Sequence, residues 1–399
     1  GETPPVRVQQ PRRTAQAYSM AFQLLNMVEE NAAVQMRRQL ENEGKLEEVS
    51  GLWPQNLHRL QALGLTDVQI ADELNLMRVE PVLTAHPTEA KRATVLEIHR
   101  RIYRLLVQRE NPVWTDSERR EIRERVKVEL ERLWRTGEIY LEKPDIASER
   151  RNVIYYLRNV FPQALPELDR RLRFAWQTAG FDPSLIETPL QLPQVSFGNW
   201  VGGDRDGHPL VTEQVTRETL GELRAAALDL LHEQLTALAV RLSLSDRLQT
   251  PSPALLEHID RIANLLGDRG AEAVRRNPNE PWRQVVNLMI ARLPATEEAR
   301  QAPAAYSSAA ELIEELLHLR DSLLDVQAKR IVEMELDPLI RTVQTFGFHL
   351  AALDIRQNSR FHDLAVAQLA SAAGLEGADF PSWDEARRLA FLERELASP

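Results

Sequence analysis

Hydrophobic positions along this chain recur mostly at helical intervals. Between residues 13 and 40, Ala17, Met20, Leu24, Met27 and Val28 fall on one stripe and predict a long amphipathic helix. Thr66 followed by Gln69 is a capping box that opens a short helix carrying Ile70 and Leu74. Thr115 and Glu118 repeat the signal ahead of Ile122, Val126, Leu130 and Leu133. The many charges of that segment fit a solvated face laced with i,i+4 pairs. Thr212 is placed to cap a long helix ending near Leu242, and residues 255–266, 309–324 and 336–346 continue the pattern. In the last of these, Asp337-Pro338 reads as an N-cap followed by a first-turn proline. Residues 267–279 and 294–308 are rich in Gly, Pro, Asn and small side chains. They read as loops around a helix with Trp282, Val286 and Met289.

Three stretches break the helical period: R-V-E-P-V-L-T-A-H at 78–86, Q-V-S-F-G-N-W-V at 194–201 and G-F-H-L-A-A-L-D-I-R at 347–356. Each is a short apolar run suited to a buried strand. The first ends in His86-Pro87-Thr88-Glu89-Ala90-Lys91-Arg92. The second ends in Gly202-Gly203-Asp204-Arg205-Asp206-Gly207-His208-Pro209, and the third in Asp354-Ile355-Arg356-Gln357-Asn358-Ser359-Arg360. A helical stretch follows each cluster. Strand, polar cluster and helix at long intervals is the logic of a parallel α/β architecture, in which strand carboxyl ends gather remote side chains. The pattern therefore predicts a mainly α fold with a few parallel strands. It also predicts that His86, the Asp204-Arg205-Asp206 loop and Arg356 converge. No polar linker forces a boundary, so one large helical domain over 1–399 is expected.

Composition narrows the chemistry. The 399 residues carry a net charge of −10, which argues against nucleic acid or an anionic membrane as partner. There is no cysteine, so disulfides, thiol catalysis and Cys-ligated zinc are excluded. A cytoplasmic location fits that absence. No apolar run reaches membrane-spanning length, and the start Gly1-Glu2-Thr3-Pro4-Pro5 lacks a signal-peptide core.

What remains at the strand ends is an imidazole, guanidinium groups, carboxylates and glycine-rich backbone. Arginine forks match carboxylate and phosphate oxygens, and glycines let backbone N–H groups approach an anion. A histidine exchanges protons near neutrality. Together they suit a small phosphorylated or carboxylated substrate. Plainer readings stand beside this one: a hydrogen-bonding histidine, a tight turn with internally paired charges, and Arg356 as the ion-pair partner of Asp354. The glycine loop is neither G-x-G-x-x-G nor a Walker A loop, and no H-E-x-x-H or EF-hand pattern is present.

V-L-T-A-H-P-T-E, then G-N-W-V-G-G-D-R-D-G-H-P, then L-D-I-R-Q-N-S, in that order, resemble phosphoenolpyruvate carboxylase. The segments at 149–154 and 280–293 also look like that family, so nearly the whole chain is covered. The resemblance implies part of a (β/α)8-type barrel with many extra helices. It implies the conversion of phosphoenolpyruvate and bicarbonate to oxaloacetate and phosphate, with Mg²⁺ or Mn²⁺. His86 matches the catalytic histidine, implied to assist carboxyphosphate breakdown so that CO₂ meets the enolate. Arg356 matches an active-site arginine near the substrate phosphate. Lys91 and Arg92 stand where relatives carry basic residues, some linked to phosphorylated activators, and dicarboxylate effectors are a second class. Arg205 is expected to order the loop by pairing with Asp204 or Asp206.

Departures from the family pattern are Glu89 in place of glutamine, His208 in place of asparagine and Asn358 in place of glutamate. Family members are much longer, and their second half is implied to carry the metal-binding carboxylates, a G-R-G-G loop and a catalytic lysine. No G-R-G-G loop follows Arg356 here. The chain is therefore expected to be an amino-terminal portion, with little carboxylase activity alone and a homo-oligomeric state only at full length. The alternatives are a non-catalytic anion-binding or regulatory helical module, and a different barrel lyase or phosphotransferase.

Overall fold

The computed structural model describes residues 4–84, 92–136, 145–206, 210–302 and 304–397. Helix α1 spans Pro4–Asn42, followed by α2 (Trp53–Ala62) and α3 (Asp67–Leu76). Strands β1 (Arg78–Val79) and β2 (Val82–Leu83) lead to α4 (Ala93–Arg109), α5 (Asp116–Arg135), α6 (Ile146–Asn159) and α7 (Phe161–Thr178). Strands β3 (Gln194–Val195) and β4 (Gly198–Asn199) precede α8 (Glu213–Arg241), α9 (Pro253–Leu266), α10 (Asp268–Arg275), α11 (Pro281–Arg292) and α12 (Glu297–Gln301). Helices α13 (Ala309–Asp325), α14 (Lys329–Ile331) and α15 (Asp337–Phe346) follow. Then come strand β5 (Ala352–Leu353), α16 (Ser359–Ala372) and α17 (Glu385–Leu396). The fold is mainly α with a few parallel strands, as the pattern predicts.

Local chemistry explains the helix ends. Thr66 and Thr115 form both predicted capping boxes, and the Thr212 hydroxyl accepts from Val215 N at the start of α8. Each such cap contributes about 1 kcal/mol. Two expected loops are corrected. Residues 267–279 contain α10. Gly267 turns the chain at φ 60°, and Gly270 lets α10 approach α9 so closely that a β-carbon would lie 2.3 Å from the Ala263 carbonyl oxygen. Those glycines serve a helix–helix contact, which composition alone reads as a loop. Residues 294–308 include the short α12.

Asp337 is corrected as well. A π-helical turn, Val332–Leu336, runs straight into α15, so Asp337 is already helical and has nothing to cap. It is buried instead, and accepts a hydrogen bond from Arg320 Nε at 3.0 Å.

The chain forms two compact units. The first comprises 1–77, 86–148 and 162–194. Leu57, Ile70, Leu74, Leu172 and Trp176 make one of its cores, and Met27, Val95, Ile98, Ile102 and Leu133 another. The second comprises 78–85, 149–161 and 195–399. Its core draws Leu231, Leu235 and Leu238 from α8, Ile259 from α9, Trp282 and Met289 from α11, Leu316 and Leu319 from α13, and Ile340 from α15. Burying each such side chain contributes about 2 kcal/mol.

In that second unit β2, β4 and β5 form a three-stranded parallel sheet in that order. Val82 is opposite Gly198, which is opposite Ala352; Leu83, Asn199 and Leu353 form the next rung. The three predicted strand stretches are thus neighbours, each contributing two residues to this sheet. Phe197, just before β4, stacks between Phe161 at 4.5 Å and Phe346 at 5.4 Å, which anchors the root of the central strand. The chain enters β5 through Leu350, fully buried at φ 65°. A leucine held in that left-handed conformation costs about 1–2 kcal/mol.

A charged cluster joins α9, α11 and α13 away from the sheet. Glu315 accepts from the Tyr306 hydroxyl and from Arg292 Nη1, and His258 Nε2 lies 3.4 Å from it. Burial pushes the Glu315 carboxyl upward, but hydrogen bonds from His258 and Tyr306 and the Arg292 charge outweigh it and hold the carboxyl below its ordinary 4.5. A lowered carboxyl pKa gives stability that is present above the unfolded value and lost as pH falls through the folded one. Glu315→Gln is therefore expected to destabilise the second unit by about 3 kcal/mol at neutral pH. It should also flatten the loss of stability on acidification below pH 4.5. Urea unfolding across pH measures both, and an unchanged acid limb would refute the linkage.

Candidate functional site

The site lies beyond the carboxyl ends of β4 and β5. Backbone bonds carry the ladder upward: Trp200 N donates to Leu83 O at 3.0 Å and Asp354 N to Asn199 O at 2.9 Å. The chain after β4 then turns, with Gly203 N and Asp204 N both donating to Trp200 O. The buried Asn199 side chain clamps this turn, accepting from Val201 N and donating to Val201 O, each at 3.0 Å. Pairing resumes at a parallel bridge between Asp204 and Arg356. Arg356 N donates to Gly203 O at 3.2 Å and Arg205 N to Arg356 O at 2.8 Å.

Two glycines make the turn feasible. A β-carbon on Gly203 would lie 2.3 Å from the Asp354 carbonyl oxygen. Gly202 has φ 88°, and a β-carbon there would lie 2.1 Å from Thr219 Oγ1 on α8. Helix α8 also holds the loop through Thr216, whose hydroxyl donates to Gly202 O at 2.8 Å.

This backbone places Arg356 among defined neighbours. Its guanidinium carbon lies 4.2 Å from the centre of the Trp200 ring, and Nη1 is 3.5 Å from Asp204 Oδ2. Trp200 is in turn fixed by its indole N–H, which donates to Asp354 Oδ2 at 2.9 Å. Asp204 is buried, and its other oxygen accepts from Asp206 N at 3.1 Å. The Arg356 side chain is 43% exposed, so its remaining N–H donors face solvent. The stack and the half-exposed ion pair each contribute about 1 kcal/mol or less. Their larger effect is orientation: an arginine on an aromatic face with one carboxylate partner is a preorganised anion receptor.

The predicted site residues divide as follows. Arg356 and the Asp204 loop are brought together. The partner of Arg356 is Asp204; Asp354 holds Trp200 instead. Arg205 does not pair with Asp204, whose carboxylate is committed to Arg356 and the turn; its Nη2 donates to Thr216 Oγ1 at 3.1 Å, and its buried Nε has no hydrogen-bond partner among the described residues. Arg92 is the exposed residue preceding α4, in the first unit. His86 and Lys91 lie outside the described residues. The sequence reading gave no role to Trp200 or Arg150. Buried Arg150 on α6 grips Glu222 of α8 through two bonds of 2.7 and 2.5 Å and donates to Thr219 at 3.3 Å, bracing the helix against which Gly202 packs. For Trp200, the signal available was an aromatic two residues before a glycine pair at a strand end.

A family model described as phosphoenolpyruvate carboxylase matches residues 4–399. The chain belongs to the phosphoenolpyruvate carboxylase family. Among its relatives, the phosphoenolpyruvate carboxylase of Methylorubrum extorquens is 35% identical over 354 residues, covering 87% of this chain and 38% of that protein. That of Xanthomonas oryzae pv. oryzae is 34% identical over 381 residues, covering 94% and 40%. That of Roseiflexus castenholzii is 32% identical over 399 residues, covering 96% and 42%. The chain thus spans about 40% of the length of the curated relatives it matches.

The described carboxylates at this strand-end cluster do not offer a metal-binding set. Asp204 and Asp354 are each engaged as described. Among the described residues no three His, Cys, Asp or Glu side chains gather in a way that would hold an ion. No described helix is long and apolar enough to cross a membrane.

Gly203→Ala is expected to destabilise the second unit by about 2 kcal/mol, because the added methyl meets a backbone carbonyl that cannot step aside. Urea denaturation checks this, and a stability equal to that of the parent chain would show that the β5 backbone yields.

Proposed function

We propose that this chain supplies the phosphate-anchoring part of a phosphoenolpyruvate carboxylase, which converts phosphoenolpyruvate and bicarbonate to oxaloacetate and phosphate. The observation that carries the reading is Arg356. It stands beyond the end of a parallel strand, oriented by Trp200 and Asp204, with donors left for an anion. In this role Arg356 holds the phosphoryl group while it passes from the enol oxygen to a bicarbonate oxygen, giving carboxyphosphate and the enolate of pyruvate. Carboxyphosphate then separates into CO₂ and phosphate, and the enolate carbon takes up the CO₂. His86 follows β2, the neighbour of β4, and is proposed to handle the proton during that separation. Arg205, held on Thr216, adds positive charge beside the loop. Lys91 and Arg92 are proposed to meet phosphorylated or dicarboxylate effectors.

The sheet is proposed to be part of a (β/α)8-type barrel within a single larger domain. Supporting this, β5 is an edge strand of its sheet among the described residues, and Ile355, Phe361, Leu364 and Leu369, which follow it, are exposed apolar residues. Completion by the remaining length of the relatives would cover them. The Mg²⁺ or Mn²⁺ of the reaction is assigned to that remaining length, as is homo-oligomeric assembly. A cytosolic location accords with the absence of cysteine.

Oxaloacetate formation, coupled to NADH oxidation, tests the reading. The 399-residue chain alone is expected to show little turnover, and the same chain joined to the remaining length of a relative should be active. In the joined protein Arg356→Ala should lower kcat/KM on the order of 100-fold, with Arg356→Lys recovering only part. Normal turnover by the chain alone would overturn the division of labour. An active joined protein indifferent to Arg356→Ala would overturn the anchoring role.

A further inference from the structure

Helix α5 sorts its basic residues into two sets. Arg125, Lys127, Arg132 and Arg135 each hold a carboxylate of the same helix, namely Glu121, Glu124, Glu129 and Glu131. The expected solvated face of paired charges is therefore real over the carboxyl-terminal part of the helix. Arg119, Arg120 and Arg123 do not share it: among the described residues none has a carboxylate partner. With Arg109 from the last turn of α4, those three line a groove of about 540 Å³, and Asp116 is the one acidic residue among the lining side chains.

Composition does not explain this excess. The chain as a whole carries −10, yet here four guanidinium groups face one carboxylate. Arginines at i,i+3 and i,i+4 on one face repel one another, and the amino end of α5 adds the positive end of its dipole. Two of the groups are nevertheless held in place. Arg119 donates from Nε to Trp114 O and from Nη2 to Pro112 O, each at 3.1 Å, and Arg120 Nε donates to Asp116 O at 3.3 Å. Trp114 ties the connecting loop to the end of α4 by donating its indole N–H to Gln108 O at 2.7 Å. Backbone carbonyls orient guanidinium groups without neutralising them, and each guanidinium keeps further N–H donors. An electrostatic frame of this kind, with a volume suited to a small metabolite, is complementary to a multiply charged anion.

We propose that this groove binds a compact polyanion carrying two or more negative charges on clustered phosphoryl or carboxylate oxygens. The site uses none of Trp200, Asp204 and Arg356, and its assignment does not depend on the carboxylase reading.

Titration calorimetry on the full chain at low salt, with pyrophosphate and with citrate, tests the proposal. Saturable binding that weakens steeply with added NaCl is expected. The double variant Arg119→Gln/Arg123→Gln should bind about tenfold more weakly or worse. Arg125→Gln, on the same helix but already paired with Glu121, should change affinity by less than about twofold. Arg119→Lys/Arg123→Lys, which keeps the charge, should retain most of the binding, and melting curves confirm that each variant is folded. A response to pyrophosphate alone assigns the groove to phosphoryl oxygens, and a response to citrate alone to carboxylates; either upholds a polyanion site. No saturable heat with either anion, or a double variant as tight as the parent chain, or an equal loss in Arg125→Gln, overturns it.

Discussion

Close approach between Gly203 and the backbone of β5 is the contact on which the strand-end site depends. The Gly203 carbonyl accepts from Arg356 N, and its α-carbon sits where any side chain would strike the Asp354 carbonyl. That contact lets the loop after β4 rejoin the ladder and set Asp204 opposite Arg356. The tryptophan stack, the ion pair and the outward donors of Arg356 all follow from it. Around it lie successive supports: Asn199 clamping the turn, Thr216 and Thr219 on α8, and Arg150 bracing α8 from α6. A shallow surface feature is thereby underwritten by buried polar groups whose hydrogen bonds are largely satisfied within the protein.

Much of this frame was legible in the order of residues. Short apolar runs ending in glycine, arginine and aspartate stand out against a helical background, and their repetition implied neighbouring parallel strands. Capping boxes at Thr66 and Thr115 were legible because their signal is local and stereochemical. Partner choice was harder to read. Asp354 and Arg356, two residues apart, invite an i,i+2 pairing, yet the Asp354 carboxylate is taken by the Trp200 indole of the neighbouring segment. The pairing of Arg356 with Asp204 depends on how much chain the turn takes up, which no period reveals. Buried polar groups were likewise illegible: Asp337 resembles a cap until the π-helical turn before it is known.

Helix α5 shows the opposite case, in which a uniform pattern hides two behaviours. Alternating acidic and basic residues gave one reading for the whole segment. The structure separates a self-neutralised stretch from an uncompensated one: Arg123 has no acid three or four positions away on either side, and Glu124, four positions after Arg120, is taken by Lys127. Glu118 is bound into the capping box with Thr115, and Glu121 is taken by Arg125. Charge patterning thus reports local compensation only once each acid is assigned to a partner.

The excursion between the two paired segments has a further consequence. From the Asn199–Leu353 rung to the Asp204–Arg356 bridge, one strand advances five positions while the other advances three. The length of that detour decides which side chain meets Arg356. Were the turn one residue shorter at the same register, Arg205 would take the place of Asp204, setting two cations face to face. A single-residue deletion in the turn therefore reverses the local electrostatics, whereas an insertion sets Gly203 opposite Arg356 and leaves the cation without its carboxylate. The loop behaves as a spacer whose length carries information that its composition does not.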